Sequence, residues 1–283
     1  MGIIPEIPVA EWITAATEGI QEALAPIFTF LRDDFGDFIE VFAEDWLMGV
    51  PIWLFILVIA VLAFFATGKK FGLVAFTVLG LWFVANQGLW EELMNTFTLV
   101  IFASLISVII GVPFGIWMAK SKPVESILTP VLDFMQTMPA FVYLIPAVAF
   151  FGIGMVPGVF ASVIFATPPT VRFTNLGIRQ VSGELIEASD AFGTTGAQKL
   201  LKVQLPMAKK TIMAGINQTV MLALSMVVIA SMIGAKGLGQ SVITALQRAQ
   251  VGPGFVAGFG IVILAIIIDR FTQNLNTQRG DNP

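Results

Sequence analysis

Long uncharged stretches recur along the chain, and their lengths predict membrane-spanning helices. The hydrocarbon core of a bilayer is about 30 Å thick, so a crossing helix needs about 20 apolar residues. Six stretches without Asp, Glu, Lys or Arg approach or exceed that length, and the fourth is nearly twice as long as one crossing requires. They cover residues 51–68, 71–90, 93–119, 134–171, 211–235 and 249–268.

The fourth stretch is long enough to form two spans. Gly152, Gly154, Pro157 and Gly158 lie near its middle, and clusters of glycine and proline are typical of turns. The sequence therefore predicts an all-α, polytopic membrane helix bundle with seven spans.

The composition excludes several other classes of protein. Hydrophobic residues make up 57% of the chain and charged residues 12%, whereas a soluble domain has about a quarter charged residues. The net charge of −4 excludes an overall basic nucleic-acid binder, so no nucleic acid is expected among the partners. Cys and His are both absent, which removes disulfides, thiol chemistry and the commonest general base.

The positions of lysine and arginine orient the bundle, because cytoplasmic loops collect these residues. If the spans alternate in direction, twelve of the 15 Lys and Arg residues fall on one side of the membrane. Only Arg32, Lys236 and Arg248 remain on the other side. The amino terminus is therefore predicted outside and the carboxyl terminus inside, with one long cytoplasmic loop at 172–210.

The first 48 residues are predicted to form a separate external segment, which leaves 49–283 as the transmembrane domain. Ten acidic residues and one basic residue, Arg32, occur within the first fifty. Apolar side chains recur every three or four residues over 13–31 and over 35–46, which indicates two amphipathic helices on the outer interface. They form a scaffold on the bundle or a docking surface for a partner. No secretion signal is expected from this pattern.

The 172–210 loop carries the most specific sequence in the chain. A short helix follows Ser182, Gly193 permits a bend, and a second helix stops before Pro206, where the next membrane helix begins. Glu187 and Asp190 offer carboxylates to a basic groove, so the loop is predicted to dock a cytoplasmic partner. The residues expected to anchor it to the bundle are Leu200, Leu201, Val203 and Leu205.

The same loop resembles a known family. Residues 187–206 read Glu-Ala-Ser, three residues, Gly, nine residues, Val, any residue, Leu-Pro, which is similar to the signature of membrane subunits of ATP-binding-cassette (ABC) importers. Ser189 and Val203 are conservative departures from that signature. Segments 137–146, 165–172 and 217–232 resemble the glycine betaine, proline and choline permeases, and this likeness runs from about residue 90 to 272.

The resemblance implies a type I ABC importer permease and a division of labour among subunits. Such importers combine a second permease copy (most simply a homodimer), two cytoplasmic ATP-binding subunits and an external substrate-binding protein, all on the lipid bilayer. Mg-ATP is expected on the ATPase, with no cofactor or metal in this chain. Segment 234–241 has the spacing of a phosphate-binding loop but Gln240 in place of its lysine. The expected ATPase-coupling residues are Glu184, Glu187, Ala188, Ser189, Asp190, Gly193, Val203, Leu205 and Pro206.

Candidate pathway residues lie near prolines and polar positions inside the spans. An aromatic face attracts a quaternary ammonium by cation–π contact, so Phe141 and Tyr143 are candidates for solute contact. With 25 phenylalanines in the chain, an aromatic side chain near any point is unsurprising, and a packing role is favoured. Asp133 is expected to pair with a loop lysine or cap a backbone group, in preference to a role in transport. The candidate pathway and gate residues are Met138, Pro139, Phe141, Tyr143, Asn217, Gln218 and Ser225.

The function expected from these observations is ATP-driven import of a compatible solute or a related quaternary amine. An importer of the same architecture for another small solute, such as an amino acid, stays open. An ion-driven secondary transporter is a less favoured alternative, because the chain shows no internal repeat. A membrane enzyme is disfavoured, since His and Cys are absent and no carboxylate cluster lies within the spans.

Overall fold

The computed structural model describes residues 7–66 and 71–277, and every regular element within those ranges is a helix. Short π or 3-10 turns at Phe42–Leu47, Ala140–Tyr143, Leu200–Gln204 and Ser231–Ile233 join several of the helices. The α-helices are α1 Val9–Ala23, α2 Ala25–Arg32, α3 Asp34–Val41, α4 Ile52–Ala66, α5 Phe71–Asn86, α6 Trp90–Lys120, α7 Lys122–Thr137, α8 Leu144–Phe151, α9 Met155–Arg179, α10 Gly183–Ala191, α11 Gly196–Lys199, α12 Leu205–Ala230, α13 Leu238–Gln247 and α14 Val251–Thr277.

Each predicted span overlaps at least one of these helices, and the all-α membrane bundle is confirmed. By length and hydropathy three helical segments can cross a membrane, or up to five if each of two bent pairs forms one span. The three are Trp90–Lys120, Gly196–Ile233 and Val251–Gln273. The count of seven spans stays a prediction. The orientation also stays a prediction, and three of the basic residues on which it depends, Lys69, Lys70 and Arg279, lie outside the described residues.

The predicted fourth span differs most from the structure. Residues 134–137 are the last turn of α7, which begins at Lys122, and a bend of 109° separates α7 from the segment Ala140–Phe151. Pro139 lies in the break, where it has an extended backbone conformation and cannot donate a hydrogen bond to a continuing helix. The apolar run is therefore divided between two helices rather than forming one.

The centre of the bundle is a close contact of α6, α9 and α12 through small side chains. A Cβ built on Gly115 of α6 would lie 2.5 Å from the Cβ of Thr174 and 2.6 Å from the carbonyl oxygen of Val171, both on α9. A Cβ built on Gly215 of α12 would likewise lie 2.5 Å from the Cβ of Phe173 on α9. Small residues allow helix backbones to approach within membranes, so α9 is held between its two neighbours.

Hydroxyl groups add hydrogen bonds around the buried proline pair of α9, Pro168 and Pro169. Thr219 of α12 donates to the Ala166 carbonyl at 2.8 Å, and it therefore accepts from the Thr170 hydroxyl at 2.7 Å. These two bonds join α12 to α9 at positions that flank the prolines. The proline pair thus lies in a packed contact between helices.

The amino-terminal helices α2 and α3 pack on the bundle, as a scaffold would. Phe28 of α2 stacks on Phe150 of α8 with ring centroids 4.8 Å apart, and Ile39 of α3 is completely buried. The predicted first amphipathic helix is interrupted at Leu24, because Pro26 starts a new helix at the first turn of α2.

Helix α1 is different, because none of the residues Val9–Ala23 is buried. Gln21 donates a hydrogen bond to the carbonyl of Ala149 on α8. Trp12 and Ile13 are exposed on the apolar side of α1, and Glu11 and Glu18 are also exposed. The scaffold interpretation therefore fits α2 and α3, while α1 keeps an open apolar face.

The close contact at Gly115 predicts a large effect for a small substitution. We expect Gly115→Ala to lower the stability of the protein by about 1–3 kcal/mol, because the added methyl group overlaps the Val171 carbonyl oxygen and the Thr174 side chain of α9. Gly258→Ala in α14 is the matched control, since a Cβ added at Gly258 would have nothing within 4 Å. Thermal unfolding of the detergent-solubilised variants measures the difference, and equal midpoints would contradict the packing described.

Candidate functional site

The loop between α9 and α12, residues 180–204, contains a short helix and a glycine bend. Helix α10 starts directly after Ser182, with Glu184 in its first turn. It ends before Gly193, whose φ of +73° lies in the left-handed region that favours glycine. The predicted helix and bend are therefore both present in this loop.

A capping box starts the second helix of the loop. The Thr195 hydroxyl accepts from the backbone N–H of Gln198 at 3.3 Å, and the Gln198 side chain accepts from the Thr195 N–H at 2.9 Å. The reciprocal bonds satisfy two donors at the start of α11. They fix the direction in which the chain leaves the bend.

The predicted stop before Pro206 is wrong, because the chain is helical without a break from Gly196 to Ile233. A π-helical turn, Leu200–Gln204, directly precedes α12 and places Pro206 in that helix's first turn. Proline is tolerated in the first turn of a helix. The loop and α12 consequently form one continuous helical element.

The outward surface of α10 combines acidic, small and aromatic side chains. Glu184, Glu187 and Ala188 are exposed, whereas Ser189 is buried and donates to the Ile186 carbonyl at 2.7 Å. Phe192 is 88% exposed, an unusual position for a large aromatic side chain. Phe192 is not among the residues predicted from sequence. The signal that could have indicated it is its position next to the glycine bend, where a large side chain can point away from the loop.

An ion pair braces the two arms of the loop. The Asp190 carboxylate lies 2.5 Å from the Lys199 ammonium, whose side chain is only 19% exposed. Asp190 therefore holds α10 against α11 in addition to presenting an acidic group at the surface. Glu184 and Glu187 are the exposed carboxylates on this helix for which no ion pair is described.

The root of the loop is attached to the neighbouring helices. Lys120 at the end of α6 donates a hydrogen bond to Gln204 in the π turn. Val203 and Leu205 are half-buried, as expected for anchoring residues, but Leu201 is exposed. Of the predicted anchors, Leu201 is therefore the exception.

Two ion pairs join α7 to α9 at the same end of the bundle. Asp133 pairs with Arg172, and Glu125 lies 2.6 Å from Arg179, which also donates to the Met118 carbonyl at 3.1 Å. Asp133 thus has a structural ion pair, as expected, but its partner is an arginine of α9 rather than a loop lysine. These contacts link α6, α7 and α9 close to the loop.

The candidate gate residues at the break between α7 and α8 fall into two groups. Tyr143 is 3% exposed, and its hydroxyl donates to the Met135 carbonyl across the break. Met138 packs beside it, together with Met226 of α12. Phe141 is 60% exposed, and Pro139 is also exposed. Of the two candidate aromatic side chains, Phe141 is therefore the one that is open to a solute in this conformation.

The candidate pathway residues of α12 also separate. Asn217 donates to the Asp269 carboxylate of α14 at 3.0 Å and accepts from Thr272, so it joins two helices. Gln218 and Ser225 lie on the exposed side of α12, seven residues apart and therefore on one face. Asp269 is not among the residues predicted from sequence, because the last span was predicted to end at 268, whereas α14 continues to Thr277.

An ion pair between Lys236 and Glu44 lies at the opposite end of the bundle. The Lys236 ammonium lies 3.2 Å from Glu44. The hydrogen bond to Glu44, together with the nearby carboxylates of Glu40 and Glu91, raises the pKa of Lys236 above its ordinary value. This contact fixes the turn before α13 to the π turn that follows α3.

Comparison with known proteins decides the family. Residues 111–279 match the family of the binding-protein-dependent transport system inner membrane component. The chain belongs to this family. The matched region includes α9, the 180–204 loop and α12, so the resemblance found in the loop motif is confirmed. The chain is a multi-pass protein of the bacterial inner membrane and a transport component rather than a catalytic one.

Similar proteins extend the match over nearly the whole chain. The glycine betaine/carnitine transport permease protein GbuB of Listeria monocytogenes is 60% identical, over 96% of this chain and 97% of its own length. The glycine betaine transport system permease protein OpuAB of Bacillus subtilis is 47% identical, over 99% of this chain and 98% of its own length. ProW of Escherichia coli, a glycine betaine/proline betaine permease, is 48% identical over 94% of this chain and 75% of its own.

Solved structures of ABC transporters share the fold. An inward-facing MetNI methionine ABC transporter chain aligns with a TM-score of 0.57 at 19% identity, covering 70% of this chain and 94% of that chain. A chain of an amino acid ABC transporter solved with histidines aligns with a TM-score of 0.55 at 22% identity, covering 69% of this chain and 94% of that chain. The part of the chain shared with these structures has the fold of an ABC importer permease.

Proposed function

We propose that this chain forms the membrane pathway of an ATP-driven importer for a quaternary-amine compatible solute, with glycine betaine as the principal substrate. The names of the relatives support this substrate class, because proteins 47–60% identical over nearly the full chain are glycine betaine or glycine betaine/carnitine permeases. Family membership favours this mechanism over an ion-driven secondary transporter. An amino acid substrate has only fold-level support.

The observation that carries the mechanism is the outward surface of α10. A short helix with exposed Glu187 and Ala188 ends in the exposed Phe192, and it is braced by the Asp190–Lys199 ion pair. Burial of a phenylalanine side chain stabilises a complex by about 1.5–3 kcal/mol. Such a surface suits insertion into a groove of a separate cytoplasmic ATPase, which supplies the energy.

Motion of that ATPase reaches the pathway through α12. The helix is continuous from Gly196 to Ile233, so displacement of the loop displaces α12 as well. Gln218 and Ser225 on its exposed face, with Phe141 beside the break, are the residues we assign to the pathway. The break between α7 and α8 and the α12–α14 contact are held in position by the remaining candidates, Met138, Pro139, Tyr143 and Asn217.

The proposed assembly follows the arrangement of the family. Two identical copies of this chain would enclose one pathway, two cytoplasmic ATPase subunits would bind the two loops, and an external protein would deliver the solute. Mg-ATP would bind the ATPase subunits. This chain is proposed to need no cofactor or metal of its own.

We further propose seven spans, with the amino terminus outside and the carboxyl terminus inside. In this topology the 172–210 loop faces the cytoplasm, and the Lys236–Glu44 ion pair lies on the outer side. Residues 1–48 would form the external segment, in which α2 and α3 are the scaffold, and 49–283 the transmembrane domain. The coupling residues would be Glu184, Glu187, Ala188, Ser189, Asp190, Gly193, Val203, Leu205 and Pro206.

The substrate is tested with the complete transporter in proteoliposomes. We expect glycine betaine, delivered by the external binding protein, to stimulate ATP hydrolysis and to be taken up. Carnitine and proline betaine test the breadth of the substrate class, and methionine and histidine serve as controls. Stimulation by the amino acids without stimulation by any betaine would assign the second substrate class instead.

The bend at Gly193 is tested by a change that its backbone does not tolerate. We expect Gly193→Val to leave the permease in the membrane but to uncouple ATP hydrolysis from transport, because a β-branched residue at positive φ is strained. Uptake should fall while unstimulated ATPase activity persists.

Gly196→Val is the matched control for this variant. Gly196 starts α11 in the same loop, has ordinary φ, and offers open space within 4 Å of the position a Cβ would take. Its transport should stay close to that of the unmodified protein. Full uptake with normally stimulated ATPase in Gly193→Val would refute the role given to the bend.

The docking surface is tested by co-purification of the ATPase with tagged permease variants. We expect Phe192→Ala to weaken association about tenfold, as the loss of about 1.4 kcal/mol of apolar burial would do, and Glu187→Lys to weaken it by charge reversal. Phe255→Ala on α14, also strongly exposed, is the control. Undiminished ATPase recovery with both loop variants would place the contact elsewhere.

A further inference from the structure

A long groove lies between α4, α5, α6, α12 and α14, and its lining side chains are apolar except for Ser104 and Thr272. Its volume is about 480 Å³, and the wall exposes no polar surface. On α6 the lining extends from Leu93 to Val108, a distance of about 22 Å along the helix. The groove is therefore elongated in the direction of the membrane normal and lies within the membrane-spanning part of the chain.

Helices α4 and α6 touch at one end of the groove, and the groove opens between them beyond that contact. Phe55 of α4 contacts Trp90 and Phe97 of α6, with ring centroids 5.4 and 6.2 Å apart. Farther along, Leu62 of α4 and Leu105 of α6 both line the groove and are about half exposed. The groove thus opens sideways, toward the hydrocarbon region of the bilayer.

The floor of the groove is part of the packed core. Val220 of α12 and Leu264 and Ile267 of α14 line it and are nearly completely buried. A betaine carries both an ammonium and a carboxylate, and this wall offers neither charge a partner. Apolar cavities exclude water and accept apolar ligands. The chemistry of the wall therefore matches a hydrocarbon chain and not the transported solute.

We propose that this groove is a binding site for one acyl chain of a membrane phospholipid. The chain enters between Leu62 and Leu105 and lies along α6 against α12 and α14. Its contacts with Val220 place it against the same helix that continues from the 180–204 loop. The proposal depends on the membrane location of the chain and is independent of which solute is transported.

The site is tested by photolabelling the complete transporter in vesicles of phosphatidylethanolamine and phosphatidylglycerol. The probe is a phosphatidylethanolamine with a diazirine in one acyl chain, and peptide mass spectrometry locates the adducts. We expect adducts at Leu62 and Leu105 to exceed those at Val262, an exposed α14 residue that does not line the groove. Excess unlabelled phosphatidylethanolamine should suppress them.

Filling the groove provides the decisive comparison. Ser104→Phe places an aromatic ring in it, and the Ser104 hydroxyl has no hydrogen-bond partner among the described residues, so its removal breaks no such bond. We expect about a tenfold loss of groove adducts, equivalent to about 1.4 kcal/mol of binding free energy. Ile109→Phe on the exposed side of α6 should leave them unchanged.

If the Ser104→Phe variant does not assemble into the transporter, Val108→Phe is used to fill the groove instead, because Val108 also lines it. The proposal would be overturned if adducts at Leu62 and Leu105 were no more frequent than at Val262. It would also be overturned if neither filling variant changed the number of those adducts. The chain contains no cysteine, so Leu62→Cys can be crosslinked specifically. Efficient crosslinking between two copies through that cysteine would assign the groove to a second permease copy and would likewise overturn the lipid site.

Discussion

The close approach of α6, α9 and α12 is the constraint on which the rest of the structure depends. Hydrophobic burial gives little preference for one helix contact over another in a bilayer, because lipid tails are as apolar as leucine. The contact is instead specified by glycines facing Thr174 and Phe173 and by hydroxyl bonds around Thr219. Bulkier side chains at those glycines could not place α9 so near both neighbours, and the ion pairs at its loop end would then lose their geometry.

Hydropathy located the helices because the length of an apolar run is dictated by the bilayer. It could not predict how the run around Pro139 would be divided, since that depends on the 109° bend and the bond from Tyr143 to Met135. The loop motif predicted the bend at Gly193 because backbone conformation there requires glycine. The ion pair between Asp190 and Lys199 forms only after the chain has turned, and local sequence carries no signal for it.

Polar residues within the spans were the hardest to interpret from sequence. Asn217 and Ser225 are similar in type and lie in the same helix, yet one bonds to Asp269 and the other faces outward. The difference depends on the rotation of α12 against α14. Asp269 itself was missed because a charged residue ends an apolar window, even when a helix continues past it with its carboxylate hydrogen-bonded to Asn217 and Gln273.

The uninterrupted helix from Gly196 to Ile233 has a mechanical consequence. Its 38 residues correspond to a rod about 57 Å long, and Thr219 fastens it to α9 partway along. Further close contacts join α12 to α9 at Ala208 and at Ala230, so a displacement of the loop end would carry α9 along with α12. The two helices would then tilt as one unit, without any change in the length of either.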